Sequence, residues 1–331
     1  SPIVVNDNVV DVTVTPGTRT GDPATIAVAP ATAYVHFVSH VTTTDPGTAP
    51  AASFGADSTS RDGSHTVVID GTVPGAAAGV LYSYAVPDPQ RFAEIAFVQT
   101  LHDAGVNGRV PPSDSSSVKP AAGTQRSADD VVAEHVSLPW SQDIKVTLKV
   151  SQNLHASMMP YLLSALKGRA DSAPQSGFDL EHAFLERAGL DLSSAMQTDG
   201  AGGLAEFTPD FMVHFLTYMT SQPDYAAYLY GLPILGRDGT LAKIQNYSPA
   251  AGHVFAKTGT FVNPDALNRA LLVTGKGLAG YITTADGRHL VIAAYLNNVS
   301  VPLGQAGVDA VGQALGEIAS IAYDAGAPPN Q

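Results

Sequence analysis

Val254-Phe255-Ala256-Lys257-Thr258-Gly259-Thr260 is the stretch that decides how this chain is read. Three apolar residues opening on a β-branched one predict a short strand, and Lys-Thr-Gly stands at its end, as an edge strand would present it. Such a strand end places an ammonium and a hydroxyl in a cleft. The glycine leaves room for another chain to lie against the backbone. The same tripeptide also arises by chance in turns, so the segments around it carry the argument.

Upstream, 106 residues before Lys257, Ser151-Gln152-Asn153 stands just ahead of the apolar helical segment Leu154–Leu166. It is the only Ser-x-Asn in the chain. Serine and asparagine are both good helix caps, so taken alone these residues read as an N-cap. Asp179–Ala188 also reads as helix. Thr208-Pro209 pairs a cap with an N1 proline and opens a helix with Met212, Phe215, Leu216 and Met219 inward.

Downstream, Leu278–Thr284 and Leu290–Leu296 flank Asp286-Gly287, a hairpin signal. A last helix over Gly304–Tyr323 aligns Val308, Val311, Leu315, Ile318 and Ala322. Helices before and after a hairpin, with a strand at Val254–Ala256, predict an antiparallel sheet covered by helices.

The first part of the chain reads differently. Val9–Val14, Thr25–Val28, Tyr34–Val41, Thr66–Ile69 and Leu81–Val86 are strand candidates between Gly, Pro and Asp clusters. Pro87-Asp88-Pro89 then opens a helix that runs to about Ala104, with Phe92, Ile95, Val98 and Leu101 on one stripe and Gly105 as its stop. Residues 107–130 are rich in Ser, Pro, Gly and Asp and read as linker. The expected organisation is a small α+β unit with its linker over 1–130, then a second domain over 131–331.

The balance of 30 Asp+Glu against 17 Lys+Arg, a net charge of −13, excludes a general nucleic-acid binder. Without cysteine there is no disulfide, thiolate metal site or cysteine nucleophile. The ten histidines show no metal-ligand spacing, and no apolar run is long enough for a membrane span. The chain opens on serine with no leader, and strand character begins at Ile3, so the expectation is a chain cut from a longer one.

Ser151-Gln152-Asn153 and Lys257-Thr258-Gly259 match, in order, two of the three elements of the active-site serine penicillin-recognising enzymes: Ser-x-x-Lys, Ser-x-Asn and Lys-Thr-Gly. The likeness extends along the chain. Pro2–Asn8, Thr15-Pro16-Gly17, Gly21-Asp22, Asp199–Gly202, Leu232-Pro233, Gly236–Leu241, Ala256–Thr260 and Leu278–Thr284 follow the order of the penicillin-binding protein 4 (DacB-like, peptidase S13) family, which the chain resembles.

That resemblance implies an α+β fold: a serine β-lactamase/penicillin-binding-protein-like domain, its antiparallel sheet flanked by helices, plus a smaller inserted α+β domain. It implies a serine-type D-Ala-D-Ala carboxypeptidase, with endopeptidase activity as a further option, acting through an acyl-enzyme. The expected partners are peptidoglycan stem peptides and β-lactams, outside the cytoplasmic membrane in a periplasmic or secreted bacterial protein. No metal or other cofactor is called for.

By the same resemblance Ser151, Asn153 and Lys257 are the catalytic residues, with Ser151 as proton shuttle and Lys257 as its positive partner. Thr258, Gly259 and Thr260 line the substrate site, the two threonines holding a terminal carboxylate. Asp199 and Gly200 border the cleft. The family's Asp-Gly-Ser-Gly-Leu-Ser reads here Asp199-Gly200-Ala201-Gly202-Gly203-Leu204-Ala205, without either serine. Competing readings are a β-lactamase- or esterase-like hydrolase of the same fold, and a non-catalytic wall-binding module.

The nucleophile is the piece not found. Ser164-Ala165-Leu166-Lys167 follows the Ser-x-Asn element and sits near a helix end, out of order. Ser116-Ser117-Val118-Lys119 has the right order, but Pro120 and Gly123 oppose the helix that must hold its lysine one turn on. Ser1 has no supporting site nearby. The expectation is a Ser-x-x-Lys segment upstream of Ser1.

Overall fold

The computed structural model describes residues 3–107, 131–167 and 174–325. It divides into two compact units, Ser1–Val132 and Ala133–Gln331.

The first unit contains β1 (Val9–Thr15), β2 (Thr25–Ala29), β3 (Val35–Ser39), β4 (Thr42–Thr44), β5 (Ser53–Thr59), β6 (His65–Asp70), β7 (Thr72–Pro74), β8 (Val80–Ala85) and the helix α1 (Pro89–Asp103). The strands form the sheets β2-β1-β8, β3-β6-β5 and β4-β7. Strand alternation sends Val10, Val12 and Val14 of β1 into a core with Tyr34, Phe37, Val67, Ile69 and Phe92. The Asp88 carboxylate caps α1 by accepting the Arg91 N–H, and Pro89 fills the first turn.

The strand expected over Tyr34–Val41 is β3, which ends at Ser39, and β4 follows it as a separate strand that was not expected. Their partners β6 and β7 part at Gly71, whose φ is +118° and where a Cβ would lie 2.1 Å from the Ala51 carbonyl oxygen. Strand β5 was not expected, because Ser53-Phe54-Gly55-Ala56-Asp57-Ser58-Thr59 has little β propensity of its own. Pairing with β6 makes it a strand.

The second unit contains α2 (Trp140–Lys149), α3 (Asn153–Lys167), α4 (Gln175–Arg187), β9 (Ala195–Gln197), β10 (Ala205–Phe207), α5 (Pro209–Met219), α6 (Tyr225–Gly231), β11 (Val254–Asp265), β12 (Ala270–Thr283), β13 (His289–Leu296), β14 (Val299–Pro302) and α7 (Gln305–Asp324). Its main sheet is antiparallel in the order β11-β12-β13, and β14 pairs with the first part of β12. Helices pack on it as the hairpin signal foretold. Leu278 and Ile282 of β12 join Leu235, Val254, Leu315 and Ala319 in one core, while Ala279 and Tyr281 join Leu216 and Leu232 in another.

Two expectations are corrected here. Strand β11 does not end at Lys-Thr-Gly but continues to Asp265, paired with β12 throughout. The strand runs on through Gly259 and Pro264 because β11 is an edge strand, where a missing N–H on the unpaired side costs nothing. On α7, Ile318 is 45% exposed, and fully buried Ala319 takes its place beside Leu315. The close approach of α7 explains the preference for small residues: a Cβ on Gly316 would lie 2.4 Å from Ile244 Cγ2.

Helix α2 was not anticipated. Ile144-Lys145-Val146-Thr147-Leu148 alternates like a strand, so no helical stripe shows in it. Tertiary packing overrides that pattern: Gly231, at the end of α6, lies against Ile144, Lys145 and Leu148. Among the described residues no helix is long and apolar enough to cross a membrane.

Candidate active site

Ser151 stands in the corner between α2 and α3. The Gln152 N–H closes the end of α2 on the Thr147 carbonyl at 3.0 Å, leaving Ser151 at the position after the cap with φ +58°. Helix-ending corners of this kind normally give that left-handed position to glycine. A serine there is strained, and such strain persists where the surroundings over-determine it. The N-cap reading of Ser151 is thereby corrected. The capping residue of α3 is Gln152, whose Oε1 accepts the Leu154 N–H at 3.1 Å. Asn153 is exposed and begins α3.

Lys257 projects from β11 towards this corner. Its Nζ donates to Ser151 Oγ at 2.8 Å and to the Thr258 carbonyl at 2.6 Å. Residues 106 apart in sequence are thus in direct contact. Burial pulls the Lys257 ammonium down to about 8, because desolvation disfavours the charged form. An ammonium only donates, so Ser151 Oγ must accept here, and its own proton is left to point elsewhere.

A second lysine holds the corner in place. Lys149, the last residue of α2, donates to Asp238 Oδ1 at 2.8 Å, to Oδ2 at 2.7 Å and to the Leu232 carbonyl. Asp238 Oδ1 also accepts the Ile234 N–H at 2.8 Å. At Gly239 the loop turns with φ +59° directly against α2, where a Cβ would meet the Lys149 carbonyl oxygen at 2.4 Å. Thr240 then reaches Thr258, Oγ1 to Oγ1, at 2.8 Å. One loop therefore links the residues beside Ser151 to those beside Lys257. Gly236–Leu241 stands out in the sequence only as a segment of the family resemblance, since nothing in a sequence reveals that Asp238 meets Lys149.

The loop also decides where the edge of β11 is open. The Ala256 N–H donates to the Pro233 carbonyl at 2.9 Å, and the Leu235 N–H to the Val254 carbonyl at 3.0 Å. Those bonds cover the outer edge of β11 over Val254–Ala256, just ahead of Lys257. A Cβ on Gly259 would have nothing within 4 Å, so open space lies in front of that residue. Thr260 is exposed, and its Oγ1 accepts from Lys276 Nζ at 3.1 Å.

Asp199 and Gly200 have a structural duty. Asp199 Oδ1 accepts the backbone N–H groups of Ala201, Gly202 and Gly203 at 2.8, 2.6 and 3.1 Å, closing its own loop. Gly200 packs on α3, where a Cβ would lie 2.2 Å from the Ala156 carbonyl oxygen. Pro160, four residues on, has no N–H to offer that carbonyl, so the loop settles where the helix ladder is interrupted.

Of the serines weighed as nucleophiles, Ser164 is only 1% exposed, and its hydroxyl is hydrogen-bonded to Ser176. Ser1 and Ser116 lie outside the described residues. Among the described residues no group of three or more acidic or histidine side chains could hold a metal ion.

Comparison with known proteins bears on this geometry. The model of the D-Ala-D-Ala carboxypeptidase 3 (S13) family matches residues 1–317. A D-alanyl-D-alanine carboxypeptidase from Actinomadura sp. (strain R39) is 27% identical over 94% of this chain and 55% of its own length. Penicillin-sensitive carboxypeptidase A of Dictyostelium discoideum is 24% identical over 83% of this chain and 52% of its own length. The chain thus spans about half the length of the curated relatives it matches. The crystal structure of penicillin binding protein 4 (dacB) from Haemophilus influenzae superposes with a TM-score of 0.69 at 19% identity, covering 98% of this chain and 68% of that one. At that identity the likeness establishes a shared fold.

Proposed function

The chain belongs to the D-Ala-D-Ala carboxypeptidase 3 (S13) family, and from that premise we propose that it carries the Ser-x-Asn and Lys-Thr-Gly side of a serine carboxypeptidase site. The substrate is a peptidoglycan stem peptide ending in D-Ala-D-Ala, and a β-lactam occupies the same cleft. The 2.8 Å bond between Lys257 Nζ and Ser151 Oγ carries this reading, because it unites the two motifs in one hydrogen-bonded pair.

In this reading the peptide lies along the open edge of β11 beyond Ala256, in the manner of an added strand. Gly259 gives it room, and the hydroxyls of Thr258 and Thr260 hold its terminal carboxylate. A serine from a Ser-x-x-Lys segment upstream of Ser1 attacks the penultimate carbonyl, D-Ala leaves, and water hydrolyses the acyl-enzyme. The attacking serine's proton passes through the paired lysine of its own segment and Ser151 to the leaving amine. Asn153 hydrogen-bonds the substrate amide. The backbone N–H of Thr260 forms an oxyanion hole with that of the attacking serine. Lys257 keeps Ser151 oriented and adds positive potential to an acidic protein. Such a substrate sets the compartment: the protein works outside the cytoplasmic membrane, in the periplasm or secreted.

The test is intact mass after incubation with a penicillin. The chain of residues 1–331 alone is expected to form no covalent adduct, and adding the upstream segment, fused or as a separate chain, is expected to restore one. An adduct on the isolated chain would place the nucleophile within it. Failure of the longer protein to acylate would favour a wall-binding module. Rapid turnover of penicillin with none of a D-Ala-D-Ala peptide would favour a β-lactamase-like hydrolase.

A further inference from the structure

Lys276 belongs to neither sequence motif, yet it stands directly across from the end of one. It lies on β12, paired in register with Thr260 of β11, and side chains of directly paired residues share a face. Alternation puts Thr258 on that same face, while Lys257 leaves the strand on the opposite side to meet Ser151.

The details mark Lys276 as placed rather than incidental. Its stem runs across α7 at Gly312, where a Cβ would come within 3.0 Å of Lys276 Cε and 3.6 Å of Nζ. Glycine at that point keeps a channel for the side chain. Burial disfavours the charge, and Asp309, nearly one turn earlier on α7, partly restores it. The head of the side chain reaches Thr260 Oγ1 at 3.1 Å. Because an ammonium only donates, Thr260 must accept, and its hydroxyl proton is turned away from Lys276 towards a further acceptor. The ammonium itself keeps two more N–H groups. A hydroxyl donor and a cation thus converge on one location beside the open edge at Gly259.

We propose that Lys276 is a specificity-determining residue that binds the ligand's carboxylate together with Thr260, so that this end of the site selects a free C-terminal carboxylate over a neutral one. The inference rests on the assignment of Thr258 and Thr260 to the carboxylate end, and it adds the charge that those hydroxyls lack. A carboxylate there accepts one bond from Thr260 Oγ1 and one from Lys276 Nζ, both oriented before the ligand arrives.

The experiment measures binding of two peptides to the 1–331 chain by NMR titration, one ending in D-Ala-D-Ala carboxylate and the other in the corresponding amide. Wild type is expected to prefer the carboxylate by about 10-fold or more, the size of one charge-assisted contact. Lys276→Met is expected to lose about 10-fold on the carboxylate peptide and to bind the amide as wild type does. Lys276→Arg is expected to retain the preference. Lys276→Gln, which keeps a polar head, serves in place of the Met variant should that one not fold. An unchanged preference in the neutral variants would overturn the role of Lys276 and leave the proposed function standing. Absence of any preference in wild type would instead remove the carboxylate end itself, and this inference with it.

Discussion

Lys149 and Asp238 form an ion pair at 2.7 Å that fastens the last residue of α2 to the loop flanking β11. Ser151 leaves the helix two residues later, and Thr240 bonds Thr258 two residues after Asp238. The pair therefore acts on both halves of the candidate site without itself belonging to either motif. The Lys149 side chain is 12% exposed and that of Asp238 43%, so removing the lysine leaves a carboxylate that water can reach. Lys149→Met is expected to lower unfolding free energy by about 1 kcal/mol. Denaturant titration reads this directly, and a midpoint equal to that of wild type would show that the pair does not hold the corner.

The strained backbone at Ser151 predicts a conflict between stability and chemistry. Glycine adopts φ +58° without penalty, whereas alanine keeps the strain and loses the hydroxyl. Ser151→Gly is expected to be more stable than Ser151→Ala by about 1 kcal/mol. Both should impair acylation in the protein carrying the upstream segment. Equal melting temperatures for the two variants would remove the claim of strain.

Two glycines on neighbouring strands should respond in opposite ways to the same substitution. At Gly280 a Cβ would lie 2.1 Å from the Phe255 carbonyl oxygen, and backbone cannot yield cheaply. Gly280→Ala is expected to cost about 3 kcal/mol of stability. At Gly259 a Cβ meets nothing, so Gly259→Ala should melt as wild type does while weakening peptide binding by roughly 10-fold through occupation of the ligand's space. Thermal melts and peptide titration separate the two effects, and normal peptide affinity in Gly259→Ala would argue against a ligand on this edge.

The depressed Lys257 ammonium sets a pH window with a definite sign. Its value is about 8 in the folded chain against 10.5 for the free side chain, so the unfolded state holds the proton more tightly between those limits. Folding stability from this group therefore rises as pH climbs from about 8 to 10.5, and is lost as pH falls back through 8. Carboxylate binding should move the other way, weakening as Lys257 discharges above pH 8. Peptide titrations across pH 6.5–9.5 on wild type and Lys257→Met test this, with the inflection near 8 expected only in wild type. The same inflection in the variant would assign it to another group.

The sequence by itself determined the motif residues, the hairpin at Asp286-Gly287, the capped helix at Thr208-Pro209 and the valine alternation of β1. Each is a local signal, carried by side-chain period or by the backbone limits of Gly and Pro. The family was legible only as a resemblance, carried by the two motifs and the collinear segments around them, and the family model over residues 1–317 shows it. What only the tertiary structure decided has another physical origin. Helix α2 and strand β5 exist because neighbours pack on them, against their own patterns. The continuation of β11 through Gly259 and Pro264 depends on its lying at a sheet edge. Ser151 occupies a glycine position because its surroundings hold it there. Lys149–Asp238 and Lys276–Thr260 join residues 89 and 16 apart, and no periodicity encodes such meetings. Interactions within a turn or two of chain are written in the sequence; those across the fold arise only when separate elements are brought together.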